Sequence, residues 1–280
     1  MAVFLNKEPR TRQISPVTSS PRIEDEHRQI LVDMTKPMLD SVGLALMTLG
    51  DRPQPRQAIA MIRQLSAQWD RVFDFPAQSI GTRWAEQVSY AAKEKLEDAI
   101  AKALHREIYI VDDPEIWDSI ALSAEESSLL IKTIPKDHLG KTAQAFVKAA
   151  RGESFPENRT LAEEIQEINK IAIERAELIA RDQTSKMNTA INQIRQTSLG
   201  IFEYLWRTRE DKRVVGDPSG LYPKGNQVHG NHYIRNDLIF RWDEPPADGH
   251  PGYAINCRCK AIPRININDI RWSNGGYRQR

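Results

Sequence analysis

Four side chains able to bind a metal lie close together late in the sequence: His232, His250, Cys257 and Cys259. Imidazole nitrogen and thiolate sulfur are the donors that Zn²⁺ prefers, so we regard these residues as candidate ligands of a structural zinc ion. His229 lies nearby and is of the same type. The Cys-x-Cys spacing is tighter than in most zinc-binding pairs. An alternative therefore stays open, in which the cysteines are small buried apolar side chains and the histidines form hydrogen bonds within loops.

The same residue types also suit nucleophilic catalysis. A cysteine would then be the nucleophile, a histidine the base, and Asp243, Glu244 or Asp248 the acid that orients the histidine. The sequence contains no Gly-x-Ser-x-Gly turn, no phosphate-binding glycine loop, no His-Glu-x-x-His pair and no repeated acidic cluster for magnesium. We therefore expect that the protein is not an enzyme. A disulfide between the two cysteines would close a very small loop, so a reduced or metal-bound pair is expected.

The overall charge argues against general attraction to nucleic acid or to a membrane surface. The 280 residues carry 39 basic and 38 acidic side chains, a formal net charge of +1. No apolar run is long enough for a signal peptide or a membrane span, so we expect a soluble protein made in the cytosol. The tail, residues 264–280, mixes arginines with Trp272 and Tyr277, as nucleic-acid-binding tails do, or is a disordered end that aids solubility.

Helical patterns fill the first two thirds of the chain. Residues 1–24 are rich in proline and polar side chains and are expected to be a flexible arm. Residues 25–129 predict a helical region of unassigned role, with Arg83–Leu104 as its clearest amphipathic helix. Proline-containing segments predict breaks in these helical patterns. They lie at Pro37, 50–53, 74–76, 112–114 and 134–135.

The region 130–200 contains the best-defined predicted helix. Thr160 and Glu163 have the spacing of a capping box, and Gly200 suits a C-terminal cap. Apolar residues recur at steps of three and four between these positions. A helix of that length exceeds the common globular length, so we expect a break near 169–173 or a helix that reaches away from the body.

The amino-acid composition changes after Gly200, where glycine, proline, asparagine and aromatic residues become frequent. Residues 202–208 alternate apolar and polar side chains like a strand with one buried face, and residues 238–242 are a plausible partner strand. Residues 201–263 therefore predict a small β and loop module that carries the His/Cys cluster. The predicted fold class is α+β: a helical N-terminal part with long amphipathic helices, followed by a small, loop-rich, β-containing C-terminal module.

An ordered set of segments between Leu130 and Pro263 resembles the phage head morphogenesis family, whose members include the minor head protein F of phage Mu. Each segment is common alone, but the order and the closing Asn-Cys-Arg-Cys after a Pro-Gly turn are specific. This chain has Asn236-Asp237 where the family pattern has Asp-Gly, a departure in one loop. The segments that carry the resemblance are 130–135, 175–184, 200–201, 206–208, 211–214, His232, 240–246, 249–252 and 255–259.

The resemblance implies a minor head protein, incorporated in few copies during procapsid assembly at or near the portal, and it implies no catalytic activity. The implied partners are the portal protein and major capsid or scaffold proteins, with DNA and a second copy of the chain as further candidates. The implied location is the virion head, after synthesis in the host cytoplasm. The few residues after Pro263 lead us to expect no appended enzyme domain. Two alternative functions remain: a zinc-stabilised DNA-binding protein, and a Cys/His hydrolase or nuclease.

Overall fold

A computed structural model describes residues 11–50, 53–225 and 230–266. Helices dominate the first two thirds of the described chain and strands the last part, so the predicted α+β class is confirmed. The helices are α1 (Pro21–Leu49), α2 (Pro55–Leu104), α3 (Pro114–Ala150) and α4 (Leu161–Ser198). The strands are β1 (Thr11–Gln13), β2 (Glu203–Arg207), β3 (Ile239–Arg241) and β4 (Lys260–Asn266), and short 3-10 turns lie at Pro156–Asn158 and Tyr233–Arg235.

Helix α4 begins and ends where the sequence predicts. The backbone N–H of Thr160 donates to the Glu163 carboxylate at 2.7 Å, and the N–H of Glu163 donates to Thr160 Oγ1 at 3.2 Å, which completes the capping box. Gly200 has a φ of 82°, the left-handed conformation typical of a helix C-terminus. The expected break near 169–173 is absent, because apolar residues are buried along the whole helix and stabilise it as one element.

Prolines interrupt the helices less than predicted. Helices α1, α2 and α3 continue through Pro37, Pro76 and Pro135, so the breaks predicted there are wrong. An internal proline removes a backbone hydrogen bond and costs about 3 kcal/mol. Neighbouring side chains offset that cost by burial, since Met38, Ala77 and Ile134 are almost fully enclosed. The breaks predicted at 50–53 and 112–114 are confirmed, because α1 ends at Leu49 and α3 begins at Pro114.

The chain packs into two compact units. The sheet unit contains Met1–Ser20, Ala85–Ala121 and Thr184–Arg280, and the helical unit contains Pro21–Trp84 and Leu122–Gln183. Each unit combines stretches that are separate in the sequence, because the units are defined by packing. The domains predicted from composition are continuous stretches of sequence, and their boundaries stay predictions. No helix in the described ranges has an apolar run sufficient to cross a bilayer.

The four strands form one antiparallel sheet in the order β1-β4-β2-β3. Tyr204 lies opposite Phe240 in the β2–β3 pair, which confirms the pairing predicted between residues 202–208 and 238–242. On the other side of β2, Glu203 lies opposite Arg264 of β4. The core of this region consists of Tyr204, Trp206 and Trp242, and Phe240, Cys259 and Ala261 pack against them.

The described part of the N-terminal segment differs from the expected flexible arm. Strand β1 pairs with β4, and Ile14 and Val17 after it are buried. Asn188 of α4 donates a hydrogen bond of 2.9 Å to the Val17 carbonyl. Strand pairing and two buried apolar side chains therefore order residues 11–20, although their composition resembles that of a flexible segment. Residues 1–10 lie outside the described residues.

Candidate metal centre

Three of the four candidate ligands lie together. His232 Nδ1 is 3.7 Å from Cys257 Sγ and 3.5 Å from Cys259 Sγ. Within residues 11–50, 53–225 and 230–266, this is the one group of at least three His, Cys, Asp or Glu side chains with ligand atoms close enough for a metal. A tetrahedral zinc ion with bonds of about 2.3 Å to sulfur and 2.0–2.1 Å to nitrogen would separate those atoms by about 3.6 Å. The arrangement of the three ligand atoms therefore fits such an ion.

Each ligand is positioned by a fixed piece of backbone. His232 immediately precedes the 3-10 turn Tyr233–Arg235, whose first N–H donates to the Val215 carbonyl at 3.0 Å. Cys259 immediately precedes β4, the strand that pairs with both β1 and β2. Cys257 follows a turn closed by its own N–H on the Ala254 carbonyl at 2.9 Å. The centre therefore joins two loops to the middle of the sheet.

Gly252 makes close packing possible beside Cys257. Its φ of +99° is unfavourable for other residues, and a Cβ atom there would clash with Thr189 Oγ1 and lie 2.9 Å from Ser185 Oγ. The Gly252 N–H donates to Cys257 Sγ at 3.3 Å, and Thr189 Oγ1 donates to the Pro251 carbonyl at 2.7 Å. Helix α4 thus fixes the loop that presents the first cysteine.

Arg258 anchors the backbone between the two cysteines. Its guanidinium donates to both carboxylate oxygens of Asp211, at 2.5 and 2.7 Å. Hydrogen bonding from Arg258 lowers the pKa of Asp211 to about 2. The pair therefore stays ionised at neutral pH and ties the Cys-x-Cys turn to the loop that follows β2.

A buried carboxylate binds the far side of the His232 ring. His232 Nε2 lies 2.9 Å from Asp248 Oδ2, and Arg235 pairs with the same carboxylate at 2.7 Å. Burial raises the pKa of Asp248, but the hydrogen bonds from Arg235 and His232 outweigh it and lower the pKa overall. An ionised carboxylate only accepts hydrogen bonds, so Nε2 carries the proton and Nδ1 presents its lone pair to the sulfurs.

Electrostatic coupling within the group favours one thiolate even without a metal. A hydrogen bond from the Cys259 thiol lowers the pKa of Cys257 well below its ordinary value. Donation of that hydrogen bond raises the pKa of Cys259. Burial lowers the pKa of His232, but its contacts with Cys257 and Asp248 raise it overall. Binding of a cation would therefore release protons from these three side chains.

His250 does not join the other three candidates. Its Nδ1 lies 2.9 Å from the Tyr204 hydroxyl, and its ring packs edge-on against Trp242 at 4.8 Å. Burial lowers the pKa of His250, so the ring is neutral at pH 7. As a metal ligand His250 stays a prediction, and His229 lies outside the described residues.

Sequence reasoning missed part of this centre. The sequence suggests for Asp248 only a catalytic role, as one of three acids, and no motif identifies Arg235. Arg235 follows His232 by one turn, and this spacing was the available signal. Arg235 contacts Asp248 only because two loops meet in the folded chain, and no periodic sequence pattern predicts that contact.

The three candidate ligands lie within the part of the chain that matches a family model. Residues 148–262 match the family model described as Phage Mu protein F like protein, and this range contains His232, Cys257 and Cys259. An uncharacterized protein of Haemophilus influenzae is 29% identical over 284 residues, which cover 95% of this chain and 59% of that relative. The chain thus spans less than two thirds of the length of the curated relative. No solved structure matches the chain. Residues 148–262 are therefore similar to phage Mu protein F like proteins, which confirms the resemblance to the phage head morphogenesis family predicted from the sequence.

Proposed function

We propose that the chain is a structural minor protein of a phage head, assembled at or near the portal, with no enzymatic activity of its own. The match of residues 148–262 to the phage Mu protein F like model carries this proposal. Its proposed partners are the portal protein and the major capsid or scaffold proteins. Contact with packaged DNA and association with a second copy are further parts of the proposal.

The burial of His232 and of its carboxylate partner supports a structural role, while Cys257 and Cys259 are partly exposed. His232 is only 5% exposed, and the Asp248 side chain is 4% exposed. An ion bound to His232, Cys257 and Cys259 would fasten two loops to β4, and its binding free energy would appear as stability of the sheet unit. Small loop-rich regions often need such a staple.

The proposed metal is zinc, because two thiolates and an imidazole are the donor set that favours it. These three described ligands leave one position of a tetrahedral ion for a further donor. Elemental analysis of the full chain purified without chelators should find about one equivalent of zinc. The Cys259→Ser variant should retain much less and lose stability. Less than about a tenth of an equivalent in the parent, with the variant equally stable, would contradict the assignment.

Particle composition tests the head function. Quantitative mass spectrometry of purified virions and procapsids, from the phage or prophage that encodes the chain, should find it in few copies. Deletion of the gene should lower the yield of DNA-filled heads, and supply of the wild-type chain should restore it. Crosslinking within particles should join the chain to the portal protein. Particles that lack the chain although the phage encodes it would overturn the proposal.

A thiol hydrolase is the second candidate, and one observation favours it. Cys257, His232 and Asp248 follow one another in the order of nucleophile, base and orienting acid, at 3.7 and 2.9 Å. A hydrolase would cleave ester or amide substrates in the presence of chelators and would lose that activity in Cys257→Ser. A metal centre predicts the reverse sensitivity: chelation unfolds the region, and bound metal slows alkylation of both thiols.

A further inference from the structure

We propose that Asp248 and Arg235 are positioning residues for the metal ligand His232. This inference rests on the metal binding proposed above. The carboxylate sets which imidazole nitrogen is free to bind the ion, and the guanidinium fixes the carboxylate.

The two nitrogens of the His232 ring face different partners. Nδ1 faces Cys259 Sγ at 3.5 Å, whereas Nε2 faces Asp248 Oδ2 at 2.9 Å. A proton on Nε2 satisfies the carboxylate and leaves Nδ1 with a free lone pair directed at the sulfurs. In the opposite tautomer the proton would be on Nδ1, between the ring and the two sulfurs. Nε2 and Asp248 Oδ2 would then face each other as two acceptors.

Arg235 holds the Asp248 carboxylate in place. Arg235 NH2 lies 2.7 Å from Asp248 Oδ1, and Arg235 NH1 donates to Asp248 Oδ2 at 2.9 Å. The hydrogen bond to Oδ2 and the ion-pair contact with Oδ1 hold the carboxylate against the guanidinium. The Asp248 side chain is nearly excluded from water, so it has little freedom to turn away.

Trp206 and Gly230 complete the support. The Arg235 guanidinium lies over the Trp206 ring, 4.9 Å from its centre, and the same ring packs edge-on against His232 at 5.1 Å. A Cβ atom at Gly230, where φ is +57°, would lie 2.8 Å from Arg235 NH2 and 3.1 Å from Asp248 Oδ2. Glycine therefore leaves room for the ion pair. Ligands held by such outer partners bind metal more tightly than ligands that must first be ordered.

Metal affinity of matched variants tests this inference. Full-length wild type and Asp248→Asn are compared by competition with a chromophoric chelator for Zn²⁺, and by the absorption spectrum of bound Co²⁺. Asparagine keeps the shape and an acceptor oxygen but loses the charge. We expect a loss of about 10–100-fold in affinity. The Co²⁺ ligand-field bands should shift, while the thiolate charge-transfer band is retained.

The control is Asp243→Asn, because Asp243 also forms a two-contact pair with an arginine, Arg241, but at an exposed site. It should leave affinity and spectrum within about twofold of wild type. Arg235→Lys is the second variant, used if Asp248→Asn fails to fold by circular dichroism; it keeps the charge and loses the fork, and about tenfold weaker binding is expected.

The outcomes separate the two proposals. If wild type binds neither Zn²⁺ nor Co²⁺, the metal assignment itself fails. If wild type binds metal and the folded Asp248→Asn or Arg235→Lys chain has the same affinity and the same Co²⁺ spectrum, the positioning role is overturned while the metal centre stands.

Discussion

Arg195 of α4 is 1% exposed and forms a two-contact ion pair with Asp112, with Nε–Oδ1 at 2.8 Å and NH2–Oδ2 at 3.2 Å. Its remaining donors bind the Ser89 carbonyl at 2.6 Å and the Ser89 hydroxyl at 2.7 Å. A buried guanidinium is tolerated only when its charge and donors are matched in this way. The pair therefore joins the end of α4 to α2 and to the segment before α3 within the sheet unit.

Loss of the acid in this pair should be costly. Asp112→Asn leaves a buried positive charge without its partner, and we expect the free energy of unfolding to fall by about 3 kcal/mol. Urea unfolding followed by circular dichroism measures it. The control is Lys102→Gln, which removes the exposed pair with Asp98 and should cost less than about 0.5 kcal/mol. Equal effects from the two variants would show that Arg195 does not depend on Asp112.

Gly252→Ala should destabilise the sheet unit and weaken metal binding. The added methyl group is strained at φ +99° and also meets Thr189 and Ser185. The control is Gly152→Ala, at φ +71° with no atom near the new Cβ, which should cost only about 1 kcal/mol for the backbone. Thermal unfolding should show a clearly larger loss for Gly252→Ala. If both variants lose the same stability, the effect of Gly252→Ala comes from backbone conformation alone and not from a clash with Thr189 and Ser185.

Arg258→Gln should raise the pKa of Asp211 from about 2 towards the ordinary 3.8, because the hydrogen bonds from the guanidinium are lost. A lowered carboxyl pKa contributes stability that is present above about pH 3.8 and is lost as the pH falls through about 2. Carbon NMR of the carboxyl group measures the titration. Arg209→Gln removes a nearby exposed arginine and should leave the Asp211 pKa unchanged; an equal shift in both variants would indicate a general charge effect.

His138 should make the helical unit sensitive to mild acid. His138 Nε2 donates a hydrogen bond to Asn169 Oδ1 at 2.8 Å, and burial of the ring lowers its pKa below 6.5. As the pH falls below 6.5 the unfolded chain takes up the proton first, so stability decreases until the lower folded pKa is passed. The free energy of unfolding should therefore fall less steeply between about pH 7 and about pH 5 in His138→Gln.

Much of the fold could be predicted because local chemistry specifies it. The capping box at Thr160 and the glycine at position 200 fix both ends of α4, and alternation of polar and apolar residues identifies β2. The prolines at 37, 76 and 135 misled the prediction, since a helix tolerates proline when tertiary burial offsets the lost hydrogen bond. Helix propensity describes a segment in isolation. In the folded protein, tertiary contacts around the segment determine whether the helix continues.

The candidate centre could be predicted in its donor types but not in its geometry. Cys257 and Cys259 are adjacent in sequence and share the centre with His232, whereas His250 packs beside Tyr204. The difference depends on which way two loops return to the sheet. The Asp248–Arg235 pair depends on the same returns, because its members are related by tertiary contact and by no repeat in the sequence.

Strand β1 has a consequence for biosynthesis. Thr11–Gln13 pairs with residues 264–266, so the first described strand finds its partner only after almost all of the described chain has left the ribosome. Until then Ile14 and Val17, which the folded protein buries, lack this protection, so exchange of the strand between copies is a risk during synthesis. A bulky tag fused near residue 11 should therefore reduce the yield of folded protein more than it reduces the stability of the finished molecule.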